Sequence, residues 1–191
     1  MASHFVTDKS FSSIDFTKNP LEAGEYESCT FTSCNFSGYD LSGFSFSECT
    51  FTGCNLSMAK LTRTAIRDVK FIDCKMLGMH FEHCNEFLFS ASFENCVLNL
   101  SSFYKLKVKK TVFKGCSLHE VDFTECDLGG AVFDNCDLAG AIFENTILEK
   151  ADFRTAFNYS LDPEKNKVKK ARFSVEGIAG LLGKYGIEVE E

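Results

Sequence analysis

Residues 116–143 read CSLHE VDFTE CDLGG AVFDN CDLAG AIF, and their rhythm decides the fold. A bulky apolar residue returns at every fifth position: Leu118, Phe123, Leu128, Phe133, Leu138, Phe143. Neither the 3.6-residue period of a helix nor the two-residue period of a strand produces that spacing. A sequence repeat must be settled before any element is assigned. Calling each bulky residue the centre of its unit, the slot two residues earlier holds something small: Cys116, Val121, Cys126, Ala131, Cys136, Ala141.

Working outward, the rhythm runs back to Phe11 through Phe16, Leu21, Tyr26, Phe31, Phe36 and onward to Phe81. It slips by two residues around Glu86, Phe87 and Leu88, then continues from Leu88 to Phe153. Centres twenty residues apart sort into columns. One column is all phenylalanine: Phe11, Phe31, Phe51, Phe71, Phe93, Phe113, Phe133 and Phe153. A second runs from Phe16 to Leu138, a third from Leu21 to Phe143, and a fourth reads Tyr26, Phe46, Ile66, Leu88, Val108, Leu128, Leu148. Sorting by twenties is what four five-residue sides per turn would produce. About seven such coils at the ~4.8 Å strand spacing give a rod of roughly 35 Å.

The units CTFTS, CNFSG, CTFTG, CNLSM, CDLGG, AVFDN, CDLAG and ADFRT resemble the A(D/N)Lxx consensus of the pentapeptide repeat family, over residues 11 to 155. That resemblance implies an all-β, right-handed quadrilateral β-helix, with each centre and the small residue before it pointing inward. The expected organisation is an N-terminal cap at 1–10, the β-helix at 11–158, a connector at 159–173, and a C-terminal α-helix with a short strand at 174–191. Pro163, falling where a centre should be, marks the end of the coil. Ser174 is the expected N-cap of SVEGIAGLLGKY, and Gly186 its stop. GIEVEE alternates like a strand.

Coil, amphipathic helix and terminal strand together resemble the Qnr quinolone-resistance and microcin-immunity types of the family. In those types the C-terminal segment makes a head-to-head dimer, so the resemblance implies a homodimer with Ile178, Leu181, Leu182 and Tyr185 at its interface. The alternative is a monomer in which the helix covers the last coil.

The ten cysteines all occupy the small slot, counting Cys84 within the slipped unit, and Cys34, Cys54, Cys74, Cys96, Cys116 and Cys136 form one straight ladder. An in-register ladder does not close a tetrahedral zinc site and aims its thiols poorly for disulfides, so these are read as small, soft core residues. The cluster His80, Glu82, His83, Cys84 and Glu86 matches no metal-binding spacing and is read as a solvated corner. A filled coil offers no cleft where catalytic groups could converge. The expectation is therefore no enzyme, no metal and no cofactor. No basic region followed by an apolar run opens the chain, and no apolar stretch reaches the eighteen residues of a membrane span, so the expected place is the cytoplasm, with no membrane partner.

The net charge is −7, and all of the excess lies in residues 115–155. There Glu120, Asp122, Glu125, Asp127, Asp134, Asp137, Glu144, Glu149 and Asp152 face only Lys150 and Arg154. The topoisomerase-binding relatives are thought to imitate duplex DNA with such a surface. Duplex carries one charge per ~1.7 Å, so two coils spanning ~10 Å need about six, which this block supplies, whereas a 35 Å rod would need about twenty. The resemblance thus implies a type II topoisomerase as partner, contacted by these nine acids, with no direct binding of nucleic acid. Two lysine groups count against it: Lys105, Lys107, Lys109, Lys110 and Lys114 on one side of the block, and Lys165, Lys167, Lys169, Lys170 and Arg172 on the other. The other readings of the same surface are a scaffold for an unrelated partner and an ordinary solvated acidic surface.

Overall fold

Short extended segments separated by sharp turns dominate the computed structural model, which describes residues 4–87 and 89–187. Eleven strands follow one another: β1 His4–Thr7, β2 Ser10–Ser12, β3 Gly24–Glu27, β4 Thr30–Thr32, β5 Ser45–Ser47, β6 Thr50–Thr52, β7 Ala65–Arg67, β8 Val69–Ile72, β9 Ala91–Glu94, β10 Val112–Lys114 and β11 Val132–Asp134. All pair in parallel, as a four-stranded sheet β1-β3-β5-β7 and a seven-stranded sheet β11-β10-β9-β8-β6-β4-β2. Isolated parallel bridges such as Asp15↔Asn35↔Asn55 and Ser102↔Asp122↔Ile142 complete the other two walls. The result is the expected four-sided parallel β-solenoid.

The phenylalanine column is in register: Phe11, Phe31, Phe51 and Phe71 pair across adjacent strands, and Phe71 then pairs with Phe93, Phe93 with Phe113, and Phe113 with Phe133. Neighbouring rings stack at centroid distances of 4.6 to 5.4 Å along the column, which continues through Phe153 to Phe173. Rings of adjacent walls meet edge-on, as Phe93 does with Phe103 at 6.1 Å. Stacked and edge-to-face contacts are the favoured aromatic geometries. The void inside the coil, lined by Phe46, Phe51, Leu56 and Phe71 among others, measures about 10 Å³, barely enough for one water.

At most corners the chain turns two residues after the centre, in the left-handed region, for example at Ser33, Asp73, Asn95 and Asn135. That conformation costs most side chains energy and suits Gly, Asn and Asp. The small slot carries a second device. In nine of the ten cysteines Sγ–H donates to a carbonyl of the preceding coil at 3.0–3.6 Å, as Cys96 does to Phe71 at 3.4 Å. Thr64, Ser101, Thr146 and Asn166 occupy the same slot and donate to Leu41, Met76, Phe123 and Phe143. Where the slot holds a side chain with a donor, that donor in most units bonds the preceding coil, which gives the cysteine ladder its structural reason.

Three boundaries differ from expectation. Strand β1 already belongs to the coil, with Val6 paired to Tyr26, so residues 4–10 are not a separate cap. The stretch taken as a connector is a further coil: Lys167 bridges to Ile147 and Arg172 to Asp152. Pro163 does not stop it, because losing one N–H at a single wall leaves the bonds of the other walls intact. The C-terminal segment is 3₁₀, not α, at Glu176–Leu181 and Gly183–Tyr185. Gly177, Gly180 and Gly183 recur every third residue, the period at which a 3₁₀ turn eclipses its side chains. Ser174 still accepts the Gly177 N–H at 3.0 Å, the capping bond expected of it.

The two-residue slip is absorbed between Phe81 and Ala91, where Phe81–His83 makes a 3₁₀ turn and Phe87 stands 68% exposed. Leu88, the expected centre of the slipped unit, lies outside the described residues, as do 188–191 of the expected terminal strand. Phe89 is partly buried against the core there, edge-on to Phe81 at 6.3 Å.

Candidate interaction surface

With the interior filled, the outward slots decide what the molecule can do. The nine acids do not share a wall. Asp134 and Asp152 flank centres of the phenylalanine wall, Glu120 and Asp137 the next, Asp122, Glu125 and Glu144 the third, and Asp127 and Glu149 the fourth. They form a belt around the rod.

Much of that charge has a local task. Asp122, Asp127, Asp137 and Asp152 each accept, through Oδ1, the N–H two residues on, at 2.8, 3.1, 3.2 and 3.2 Å. Asp15 and Asp40 do the same with Thr17 and Ser42 far from the block. This is the Asx turn, and it explains why Asp or Asn precedes the centre so often. Ion pairs occupy four of the nine: Glu125 with Lys105, Asp127 with Lys109, Glu144 with Lys165, and Asp152 with both Arg154 and Arg172, while Asp137 Oδ2 lies 2.8 Å from His119 Nε2. Hydrogen bonds from Arg154 hold the Asp152 carboxyl below the usual carboxylate range, against the opposing effect of burial. Burial pushes Asp137 up, but hydrogen bonds from His119 and Asn158 outweigh it and its net shift is downward. Among the described residues, Glu120, Asp122, Asp134 and Glu149 make no ion pair.

At the C-terminal end the structure divides the expected dimer residues. Leu181 packs on the core cluster and Leu182 is half-buried, whereas Ile178 and Tyr185 are 51% and 59% exposed. Lys184 ties the segment down through Asp162 and Glu164 at 2.9 and 2.6 Å, which raises its own pKa. Both glycines of the first 3₁₀ turn lie flat on Tyr159.

The His80 corner holds a contact of 2.9 Å between His80 Nδ1 and Glu82 Oε1, with the His83 ring stacked on His80. Cys84 is buried away from them. Among the described residues, no three His, Cys, Asp or Glu side chains gather as metal ligands would. No helix among them is long and apolar enough to cross a membrane.

A four-walled parallel solenoid with a solid interior is a repeat protein that meets other molecules through its outward residues. The model of the pentapeptide repeat region matches residues 24–86 and 87–157. The chain belongs to the pentapeptide repeat family. Among solved structures it is similar to QnrB1, a plasmid-mediated fluoroquinolone resistance protein, at 22% identity over 98% of this chain and 100% of that one, with a TM-score of 0.45. It is also similar to HetL, a pentapeptide repeat protein involved in heterocyst differentiation regulation in the cyanobacterium Nostoc, at 16% identity over 90% and 88%, with a TM-score of 0.42. No curated protein sequence matches it.

Proposed function

We propose that this protein is a non-enzymatic interaction rod of the cytoplasm. The observation that carries this reading is the partition of the molecule into a solid core and an outer surface that carries the unpaired charges. Ten buried cysteines without disulfides support a reducing compartment.

The partner we put forward is a type II topoisomerase, met by the acidic belt in imitation of duplex DNA. The resemblance to the quinolone-resistance and microcin-immunity types supports this, as do the four carboxylates free of ion pairs. Four is fewer than the roughly six charges that ~10 Å of duplex carries, and a head-to-head dimer would double them. The four acids paired with lysine or arginine favour a second reading, a scaffold for an unrelated protein. A gyrase supercoiling assay with and without a quinolone separates the two. Micromolar protein is expected to alter supercoiling or drug inhibition, and Glu120→Lys with Asp134→Lys and Glu149→Lys to abolish the effect. These three make no Asx turn, so their reversal leaves the Asx-turn bonds of the block intact. No effect of the unmodified protein removes the topoisomerase.

The dimer belongs to the same proposal, with Ile178 and Tyr185 as its exposed contacts and Leu181 and Leu182 behind them. Light scattering is expected to give twice the chain mass, and Ile178→Asp to return the monomer. An unmodified protein that stays monomeric at high concentration overturns the dimer.

A further inference from the structure

The fourth wall changes character toward the C-terminal end. Lys107, Asp127, Ile147 and Lys167 stand one above another through parallel bridges. Beside them run Lys109, Gly129, Glu149 and Lys169, and at the corner Lys110, Gly130, Lys150 and Lys170. Seven lysines therefore share this wall with two acids, in a chain whose net charge is −7. All seven are exposed. Lys109 pairs with Asp127, whose side chain is only 13% exposed. Among the described residues the other six, Lys107, Lys110, Lys150, Lys167, Lys169 and Lys170, make no ion pair.

Their arrangement has shape as well as charge. The outer rungs carry three lysines each and stand three strand spacings apart, about 14 Å. Between them Gly129 and Gly130 leave the rung without side chains beyond Asp127. Long flexible cations thus form two ridges, separated by one nearly bare rung and one that carries Ile147, Glu149 and Lys150. A convex polyanion with charges on its rims fits that relief, and ~14 Å of duplex axis carries about eight phosphates.

We propose that this wall docks the phosphate backbone of duplex DNA. The contacts are lysine point charges, with no arginine fork or amide on these three columns to read base edges, so binding is independent of sequence. The columns carry no aromatic side chain on which unstacked bases could stack, which disfavours single strands. Only the half-buried Ile147 is apolar, which leaves a membrane without an anchor. This inference departs from the expectation that the protein makes no direct contact with nucleic acid, and it stands whether or not the acidic belt binds a topoisomerase.

The corner lysines Lys110, Lys150 and Lys170 have φ of 58°, 61° and 62°. Glycine adopts that conformation freely, so Lys110→Gly, Lys150→Gly and Lys170→Gly together remove three charges while relieving the backbone. The triple variant is expected to melt no lower than the unmodified protein. Fluorescence anisotropy with a labelled random-sequence duplex should show binding at about 50 mM salt, with a log–log salt slope of about −5 for six phosphate contacts. The triple variant should bind on the order of a hundredfold more weakly, with a slope of about −3. No binding by the unmodified protein at low salt, or equal binding by the triple variant, overturns the proposal. So does co-sedimentation with phosphatidylserine vesicles in the absence of duplex binding, which would give the wall to a membrane.

Discussion

Replacing Phe93 by alanine lowers stability by about 3–5 kcal/mol, read as a fall in the denaturant midpoint or the melting temperature. Phe93 is 1% exposed and sits where the column is most dependent on it. It stacks on Phe71 at 5.4 Å and on Phe113 at 5.1 Å, and meets Phe81 and Phe103 edge-on at 5.8 and 6.1 Å. It is also the first described centre after the two-residue slip. In a stack where each coil touches only its neighbours, a cavity weakens both adjoining interfaces, and a backbone bonded on both sides has little freedom to collapse into it. A loss below about 1 kcal/mol would contradict the packing, since even Ile→Val costs about that in a tight core.

Gly180→Ala is expected to lower stability by about 1–3 kcal/mol, the usual range for overpacking, and to loosen the C-terminal segment. A Cβ there would collide with the Tyr159 backbone carbonyl and with its ring. Neither can retreat cheaply: Tyr159 is buried, and Leu161 N–H donates to the Gly180 carbonyl at 3.0 Å, locking the two strands of chain together. The 3₁₀ turn would have to lift, taking Leu181 off the core and breaking the grip of Lys184 on Asp162. Limited proteolysis should then cut after residue 174 in the variant and spare the unmodified protein. Equal resistance in both would mean that Tyr159 does not hold the cap.

These two sites show what the sequence made legible. The columns were readable because inward positions recur at an interval no other fold uses, and Phe93 could be placed in its column without coordinates. The ends were harder. Pro163 looks like a stop under rules for isolated strands, but a coil distributes its bonds over four walls, and Asn166 repairs the slot by donating to Phe143. The 3₁₀ form was written in the three-residue spacing of Gly177, Gly180 and Gly183, a signal hidden by an apolar stripe that also suits an α-helix. The surface was legible only as composition. Acids close together in sequence are spread over four walls by the coil, while Lys107 and Lys167, sixty residues apart, are brought onto one. The Asx turns of Asp122, Asp127, Asp137 and Asp152 could have been suspected from their constant place before the centre, where Asn serves equally in CNFSG and CNLSM.

The twenty-residue coil is the claim on which the wall assignments, the belt and the lysine face all depend, and excision tests it directly. Removing residues 113–132 joins Val112 to Phe133, whose partners Val132 and Phe113 they replace in register. Removing 113–129 takes three residues fewer and leaves every later centre out of phase. Circular dichroism during thermal melting is expected to show a cooperative β-rich fold for the first deletion and its loss for the second. Equal behaviour of the two, whether both fold or both fail, would contradict the coil.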